Sequence, residues 1–133
     1  MDRDLDQLVR AAFEARKQAY APYSAYAVGA AILGSDGTVR TGCNVENVSF
    51  GLSICAERAA AFAMVADGCR RIEAVAVVTR DGGTPCGACL QVLSEFIAEP
   101  GAVPVICRGD GPETPPFTFA ELLPFGFKSG SLG

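Results

Sequence analysis

The first amphipathic segment lies near the N-terminus, where apolar residues recur with the spacing of an α-helix. Its apolar positions follow the i, i+3, i+4, i+7, i+8 pattern: Leu5, Leu8, Val9, Ala12 and Phe13. A stripe of this kind predicts a helix that packs one face against a core. We expect this helix to end before Pro22, because the residue that precedes a proline avoids the helical conformation.

Short apolar runs predict the strands. Residues 27–33 and 38–42 flank the turn sequence Ser35-Asp36-Gly37, so these two runs are expected to form a β-hairpin. Residues 74–78 are a continuous Val/Ala run, which is typical of a strand buried on both faces. Residues 103–107 form a further apolar run and predict a second buried strand.

Helices are expected between and after these strands. The Ala-rich residues 54–66 predict one helix, with Ser53 as its N-cap. Thr84, which precedes a proline, is the expected N-cap of another helix. Thr118 and Glu121 have the spacing of a capping box and predict a short last helix.

The order of the predicted elements, α-β-β-α-β-α-β-α, places the chain in the α/β class, with one sheet and helices on its faces. The two later strands are each reached through a helix, so they should run parallel by right-handed crossovers. No repeat or linker divides the 133 residues. We therefore expect residues 1–133 to form one domain.

Composition narrows the range of functions. Hydrophobic residues make up 50% of the chain, a share too high for a disordered protein. Nucleic-acid binding needs a basic face, whereas the net charge is -4 and the longest basic run is Arg70-Arg71. The acidic N-terminus does not resemble a signal peptide, and no run approaches the ~20 apolar residues of a membrane span. We expect a cytoplasmic protein that binds neither nucleic acid nor membrane and keeps its cysteines reduced.

Three cysteines occupy positions from which they could share one metal ion. Cys55 lies near the start of one predicted helix, and Cys86 and Cys89 form a Cys-x-x-Cys pair near the start of another. Helix N-termini favour thiolates, and a catalytic zinc site has three protein ligands and one open position for water. A structural site would need a fourth ligand. The chain has no histidine, so the candidates for it are the remaining cysteines: Cys43, Cys69 and Cys107.

Two charged residues beside Cys55 complete the pattern. Glu57 is not needed as a ligand and is placed to move a proton beside a metal-bound water. Arg58 could offset the excess negative charge of three thiolates on one divalent ion. Cys-x-Glu followed by Pro-Cys-x-x-Cys is the three-cysteine form of the zinc nucleobase-deaminase signature. The alternatives are buried core thiols, a redox pair of Cys86 and Cys89, and a purely structural zinc.

Beyond this signature, the chain resembles the small homotetrameric cytidine deaminases over nearly its whole length. The segments that carry the resemblance are Pro22-Tyr23-Ser24, Val28-Gly29-Ala30-Ala31, Cys43-Asn44-Val45-Glu46-Asn47, Cys55-Ala56-Glu57-Arg58, Pro85-Cys86-Gly87-Ala88-Cys89, and Leu122-Leu123-Pro124 followed by Phe127. The resemblance implies a three-layer α/β/α sandwich, with one mixed sheet of about five strands and helices on both faces. It also implies a homotetramer in which neighbouring subunits complete each site.

The resemblance further implies the reaction and its catalytic groups. Free cytidine and 2'-deoxycytidine would be hydrolysed to uridine and 2'-deoxyuridine with release of ammonia, in pyrimidine salvage or scavenging. One Zn²⁺ per chain would be held by Cys55, Cys86 and Cys89, and its water would attack C4. Glu57 would take a proton from that water, protonate N3 and later protonate the departing ammonia. Arg58 would lie behind the metal ligands.

The substrate contacts implied by the resemblance come from several segments. The ribose would be held by Asn44 and Glu46, and the base by Tyr26 and the backbone of Ala56, while Phe127 would reach a neighbouring subunit's site. Residues 47–51 would also help to complete an adjacent site. Independently of the family, a carboxylate at the ribose and the lack of a basic cluster favour a nucleoside over a nucleotide.

Three positions depart from the usual family pattern. Tyr26 replaces a phenylalanine, and its hydroxyl needs a partner if it is buried. Leu90 replaces an arginine, which leaves more of the charge compensation to Arg58, and Phe50 stands where tyrosine is common. Two other functions remain open: a deaminase of another amino-heterocycle, such as a nucleoside antibiotic, and a zinc-stabilised binding module without turnover.

Overall fold

The computed structural model describes residues 3–128. The helices are α1 (Arg3–Arg16), α2 (Ala56–Ala66), α3 (Gly87–Ser94) and α4 (Phe119–Leu122). The strands are β1 (Gly29–Gly34), β2 (Val39–Cys43), β3 (Ile72–Val78), β4 (Pro104–Arg108) and β5 (Phe117–Thr118). Two short 3₁₀ helices, Phe50–Leu52 and Pro100–Ala102, lie in the connections. In this part of the chain, no helix is long and apolar enough to cross a membrane.

The strands form one mixed sheet in the order β2-β1-β3-β4-β5. β1 pairs with β2 and with β3 antiparallel, β3 pairs with β4 parallel, and β4 pairs with β5 antiparallel. The predicted hairpin and the predicted parallel pair are therefore confirmed. The sheet has the five strands that the resemblance implies. The apolar pattern did not locate β5, because its two residues are too few to show a strand pattern.

The central strand β3 is buried on both faces, as its sequence predicts. Its side chains alternate between two apolar clusters because successive residues of a strand point to opposite faces. Val75 and Val77 pack with α2, α3 and α4, whereas Ala74, Ala76 and Val78 pack against α1. The expected α/β/α layering is confirmed, with α1 alone on one face and the helices that carry the cysteine motifs on the other.

Two helices begin later than the sequence suggests, and these predictions were wrong. The N-cap of α2 is Cys55 rather than Ser53, because Ile54 pairs with Val45 through two backbone hydrogen bonds of 2.9 and 3.0 Å and stays extended. The N-cap of α3 is Cys86 rather than Thr84, since Cys86 itself is extended, with φ -70° and ψ 165°. The capping box of Thr118 and Glu121 is confirmed at α4.

The position of α2 against the sheet depends on a glycine of β2. A Cβ atom at Gly42 would lie 2.5 Å from the carbonyl oxygen of Ala56 and 2.6 Å from the backbone nitrogen of Ala60. Only a residue without a side chain permits this approach. The N-terminal turn of α2, which carries Cys55 and Glu57, is thereby held directly against the sheet.

Candidate active site and metal centre

The first turns of α2 and α3 bring three sulfur atoms together. Cys55 caps α2, Cys86 caps α3, and Cys89 lies in the first turn of α3. Their Sγ atoms all lie within 4.8 Å of one another, and those of Cys86 and Cys89 are 3.5 Å apart. The convergence follows from the topology, because both helices pack on the same face of the sheet and contact each other.

The donor set of this cluster fits zinc. Zinc bound at ~2.3 Å to tetrahedrally arranged sulfurs would hold them about 3.8 Å apart, close to the spacing found here. Within residues 3–128 no fourth cysteine or carboxylate joins the group. Cys43, Cys69 and Cys107, the other candidates from the sequence, lie outside it. The described ligands therefore number three, as expected of a site with one open position rather than of a closed structural site.

The protonation of the three sulfurs is coupled. A hydrogen bond from Cys89 and another from Arg58 lower the pKa of Cys55 to about 5. The bond that Cys89 makes to Cys55, together with burial, raises the pKa of Cys89. One thiolate thus opposes the ionisation of the next, and a divalent cation would relieve this repulsion.

Arg58 lies directly against the sulfur cluster. Its Nη2 atom donates to Cys55 Sγ at 3.3 Å. Its Nε atom is buried and has no hydrogen-bond partner among the described residues. The guanidinium therefore faces the ligands at the position that the sequence assigned to a charge-compensating group.

Glu57 is a buried carboxylate beside these sulfurs. Its side chain lies in the first turn of α2, and the residue is only 5% exposed. Burial raises the pKa of Glu57, and the charge of the Cys55 thiolate acts in the same direction. The carboxyl group therefore holds a proton more readily than an exposed glutamate does.

A cavity of about 280 Å³ opens over the cluster and Glu57. Most of the residues predicted to form the site line it: Tyr26, Asn44, Glu46, Cys55, Ala56, Glu57 and Cys86. They come from loops after α1 and β2 and from the first turns of two helices. The structure thus brings together residues that are widely separated in the sequence.

Comparison with known proteins identifies the family. Residues 2–105 match the family model described as "Cytidine and deoxycytidylate deaminase zinc-binding region". A cytidine deaminase of Sporosarcina psychrophila is 46% identical over 97% of this chain and 95% of its own length. The chain belongs to this family. Its membership confirms the expectation of a zinc-dependent deaminase, for which the three-sulfur cluster provides a place for one zinc ion.

Solved structures from the family show the same fold. The crystal structure of cytidine deaminase from Burkholderia pseudomallei is similar, with a TM-score of 0.85 and 43% identity. The alignment covers 96% of this chain and 100% of that one. Cytidine deaminase from Mycobacterium tuberculosis has a TM-score of 0.82 at 43% identity, over 96% of this chain and 99% of that chain.

Within this family member, Asn44 and Glu46 are already engaged by the protein. Asn44 Oδ1 accepts from the backbone of Val28 at 2.9 Å, and its Nδ2 donates to the carbonyl of Tyr26 at 2.8 Å. The Asn44 oxygen can accept one further hydrogen bond, and the Asn44 nitrogen can donate one more. The Glu46 carboxylate accepts from the Ser24 hydroxyl and from the backbone of Tyr23 and Ser24. These bonds lower the pKa of Glu46, and the one from the Ser24 hydroxyl has the largest effect. The Glu46 carboxylate therefore stays charged.

The residues that depart from the family pattern each have a definite environment. The Tyr26 hydroxyl donates to Asp81 Oδ1 at 2.6 Å, so it has the partner that its half-buried position requires. Leu90 is buried in the core among α2 and α3, with 7% of its surface exposed. Phe50 is 71% exposed and contacts the ring of Tyr23 edge-on at a centroid distance of 5.0 Å.

Phe127 lies apart from the other predicted site residues. Its backbone N–H donates to Gln91 Oε1 at 3.0 Å, and Gln91 Nε2 donates to its carbonyl at 2.7 Å. It borders a different cavity, between α3 and the segment after α4. The expectation for Phe127 concerns a neighbouring subunit, so its predicted contact with substrate remains a prediction.

Sequence analysis assigned no role to several other residues of the site. Ser24, Thr79 and Thr84 line the cavity, and Asp81 lies directly behind it as the partner of Tyr26. Thr84 was interpreted only as a helix cap. Its place immediately before Pro-Cys-x-x-Cys was a usable signal for the site, as was that of Ser24 within the quoted Pro22-Tyr23-Ser24 segment.

Proposed function

We propose that the chain hydrolyses free cytidine and 2'-deoxycytidine to uridine and 2'-deoxyuridine, with release of ammonia, as a step in pyrimidine salvage or scavenging. The observation that carries this proposal is the buried carboxylate of Glu57 beside the sulfurs of Cys55, Cys86 and Cys89 at one cavity. A carboxylate and a metal site side by side are the groups that hydrolytic deamination requires. The names of the relatives are consistent with this substrate class.

The three cysteines would hold the zinc through their thiolates. When bound, zinc supplies a Lewis acid that activates water in its open coordination position. Arg58 donates to Cys55 Sγ at 3.3 Å and would withdraw negative charge from the ligands. With leucine at position 90, that compensation would fall mainly on Arg58.

Glu57 would serve as the proton carrier of the reaction. It would accept a proton from the attacking water and deliver it to N3 of the pyrimidine ring. It would then take the second proton from the new C4 hydroxyl, which becomes the C4 carbonyl, and deliver it to the amino group as the C4–N bond breaks. A carboxyl group whose pKa is raised by burial suits both uptake and delivery. Water therefore enters as a C4–O bond, and the nitrogen leaves as ammonia.

The remaining lining residues would position a nucleoside. Glu46 would accept a hydrogen bond from a ribose hydroxyl, and Asn44 would use its remaining donor or acceptor there. The backbone of Ala56 would contact the edge of the base, and Tyr26 would pack against its ring. Among the described residues no lysine or arginine lines the cavity, so a 5'-phosphate would lack a counter-charge beside Glu46.

We also propose a homotetramer, in which Phe127 and residues 47–51 complete a neighbouring site. Exposed apolar side chains support an association: Val48 is 82% exposed, and Phe50 and Leu52 are each 71% exposed. Side chains of this kind are more common at interfaces than on free surfaces. Light scattering that gives the mass of a single chain would refute the tetramer. We expect the enzyme to act in the cytoplasm.

A substrate panel tests the proposed reaction. Purified zinc-loaded protein should decrease the ultraviolet absorbance of cytidine and deoxycytidine but leave deoxycytidine monophosphate, blasticidin S, adenosine and guanine nearly unchanged. Turnover of blasticidin S alone would favour a deaminase of another amino-heterocycle. Zinc binding without turnover of any compound would favour a binding module.

Substitution of Glu57 tests the proton carrier. Glu57→Gln keeps the volume of the side chain, so the variant should fold and bind zinc while kcat falls ~10²- to 10⁴-fold. The matched control is Glu73→Gln, the same change at an exposed position of β3, which should retain full activity. Full turnover by Glu57→Gln would show that Glu57 does not carry the proton.

A further inference from the structure

The active-site cavity is lined by two groups of residues from distant parts of the chain, which we call its two walls. The first wall is Ser24, Tyr26, Asn44 and Glu46, and the second is Thr79, Thr84 and Cys86. The hydrogen bond from the Tyr26 hydroxyl to Asp81 connects the segments that form these walls, across 55 residues of sequence. A connection of this kind can determine how the walls are placed relative to each other.

One oxygen atom of Asp81 accepts three hydrogen bonds. Its Oδ1 accepts from the Tyr26 hydroxyl at 2.6 Å, from Thr79 Oγ1 at 3.0 Å and from the backbone of Gly83 at 3.3 Å. Asp81 is not among the residues that line the cavity. Asp81 can therefore act on a bound substrate through Tyr26 and Thr79, which do line the cavity.

Hydrogen bonds and a β-bridge hold the backbone of the segment that carries Asp81. Thr79 is 4% exposed, and its hydroxyl accepts from the backbone of Gly82 at 2.8 Å and of Gly83 at 3.0 Å. Asp81 also forms a β-bridge with Gly109, next to the end of β4. These contacts hold the backbone around Asp81, from which its exposed carboxylate can orient Tyr26.

The Tyr26 side chain has few other restraints on its position. Its backbone is held by Asn44, at 2.8 Å, and by the Ser24 hydroxyl, at 3.1 Å. The Arg80 guanidinium covers one face of the ring, with its central carbon 4.8 Å from the ring centroid. Tyr26 also lines the cavity. The hydroxyl at the far end of its ring is held by the bond to Asp81.

The protonation states suit this bond. Burial and the hydrogen bond to Asp81 raise the pKa of Tyr26, so the phenol remains a donor. The same bond, followed by that from Thr79, lowers the pKa of Asp81, so the carboxylate remains an acceptor. A neutral donor therefore faces a charged acceptor, which is a stronger arrangement than two neutral partners.

We propose that Asp81 is a positioning residue for substrate binding: through the Tyr26 hydroxyl it orients the ring that packs against the pyrimidine base and fixes the separation of the two cavity walls. The inference rests on the proposed deamination of cytidine, in which Tyr26 contacts the base. It assigns a role to the tyrosine hydroxyl, which a phenylalanine at this position could not have. Asp81 contacts Tyr26 in the cavity wall and is not one of the three candidate zinc ligands. Its loss should therefore weaken substrate binding without removing zinc.

Four variants separate this role from a general structural one. Asp81→Ala removes the acceptor, and Tyr26→Phe removes only the hydroxyl, which leaves a fallback if the first variant does not fold. Asp81→Asn is the conservative rescue, because all three bonds go to one oxygen and an amide oxygen can accept them. The double variant Tyr26→Phe/Asp81→Ala tests whether the two residues act together.

The measurements are KM and kcat for cytidine, the Kd of the product uridine by calorimetry, and zinc content. Asp81→Ala and Tyr26→Phe should each raise KM and the uridine Kd about tenfold, the effect of losing one hydrogen bond to a charged acceptor. We expect kcat within about twofold of wild type, full zinc content, uridine binding by Asp81→Asn that lies between wild type and Asp81→Ala, and no further loss in the double variant.

Unchanged uridine binding in folded Asp81→Ala or in Tyr26→Phe would overturn the proposal. So would loss of zinc in Asp81→Ala, or equal impairment of Asp81→Asn and Asp81→Ala. Failure of the wild-type protein to deaminate cytidine would instead refute the proposed function. An active wild type with unaffected variants would refute only the role of Asp81.

Discussion

Addition of one methyl group at Gly42 should damage both stability and catalysis, because this glycine lies against the helix that carries Cys55 and Glu57. The built Cβ would lie 2.5 Å from Ala56 O, 2.6 Å from Ala60 N and 2.9 Å from Ala59 Cβ. The first two atoms belong to the backbone of α2 and cannot rotate away. Restoring ordinary contact, which begins at 3.4 Å, requires α2 and β2 to separate by on the order of 1 Å.

The size of this effect follows from the immobility of the neighbours. Overpacking costs about 1–3 kcal/mol, and a clash with backbone belongs at the upper end, so Gly42→Ala should lose about 3 kcal/mol of stability. For a chain of this size that loss corresponds to a decrease in Tm of roughly 10 °C. A displacement of ~1 Å at Glu57 should also reduce kcat about 100-fold.

Thermal unfolding followed by circular dichroism, at matched protein concentrations, and the cytidine assay measure the two effects. Gly111→Ala is the control, because Gly111 has open space around its Cβ position and no positive φ. That variant should lie within about 0.5 kcal/mol of wild type. A Gly42→Ala protein with wild-type Tm and kcat would show that β2 and α2 are not in close contact through this glycine.

Two further predictions concern the metal site and an ion pair. Cys86→Ala should leave two sulfur ligands and purify with far less than one zinc per chain, together with loss of activity; metal analysis that finds a full equivalent of zinc would contradict the assignment of Cys86. The Arg40 guanidinium, which donates to both Asp36 oxygens at 2.9 Å, holds the pKa of Asp36 below its ordinary value. The stabilisation from Asp36 should therefore be complete above the pKa of an unfolded aspartate, about 3.9, and disappear as the pH falls through the lower folded value. Urea unfolding should show Asp36→Asn to be less stable than wild type near pH 6, with the difference shrinking below about pH 4; a constant difference at all pH values would exclude this linkage.

The proposed chemistry of the site could be inferred from the sequence, because catalysis and metal binding depend on residue type. Only cysteine supplies thiolate ligands, and the spacing of Cys86 and Cys89 brings two of them onto one helical turn. Cys55 and Glu57 could be selected in the same way from their combination with the second motif. Short-range structure was equally accessible: the capping box at Thr118 involves groups only three residues apart.

Tertiary structure decided where the helices begin and what surrounds the site. Ser53 is a good N-cap by residue type, yet the pairing of Ile54 with Val45 keeps the chain extended until Cys55. β5 forms by pairing with the edge of β4. Its two residues are too few for a sequence pattern to predict it. At Ser53 a pairing between neighbouring segments outweighed a local preference that is small by comparison.

The sequence by itself therefore determined which groups are candidates for binding zinc and moving a proton, and in which α/β framework they stand. Only the folded chain determined that three sulfurs lie within 4.8 Å of one another, that Glu57 is buried beside them, and that Tyr26 has Asp81 as its partner. The physical reason is the separation along the chain over which each effect acts. Residue type and local spacing act over a few positions, whereas burial and hydrogen bonding between distant segments depend on the order of strands in the sheet.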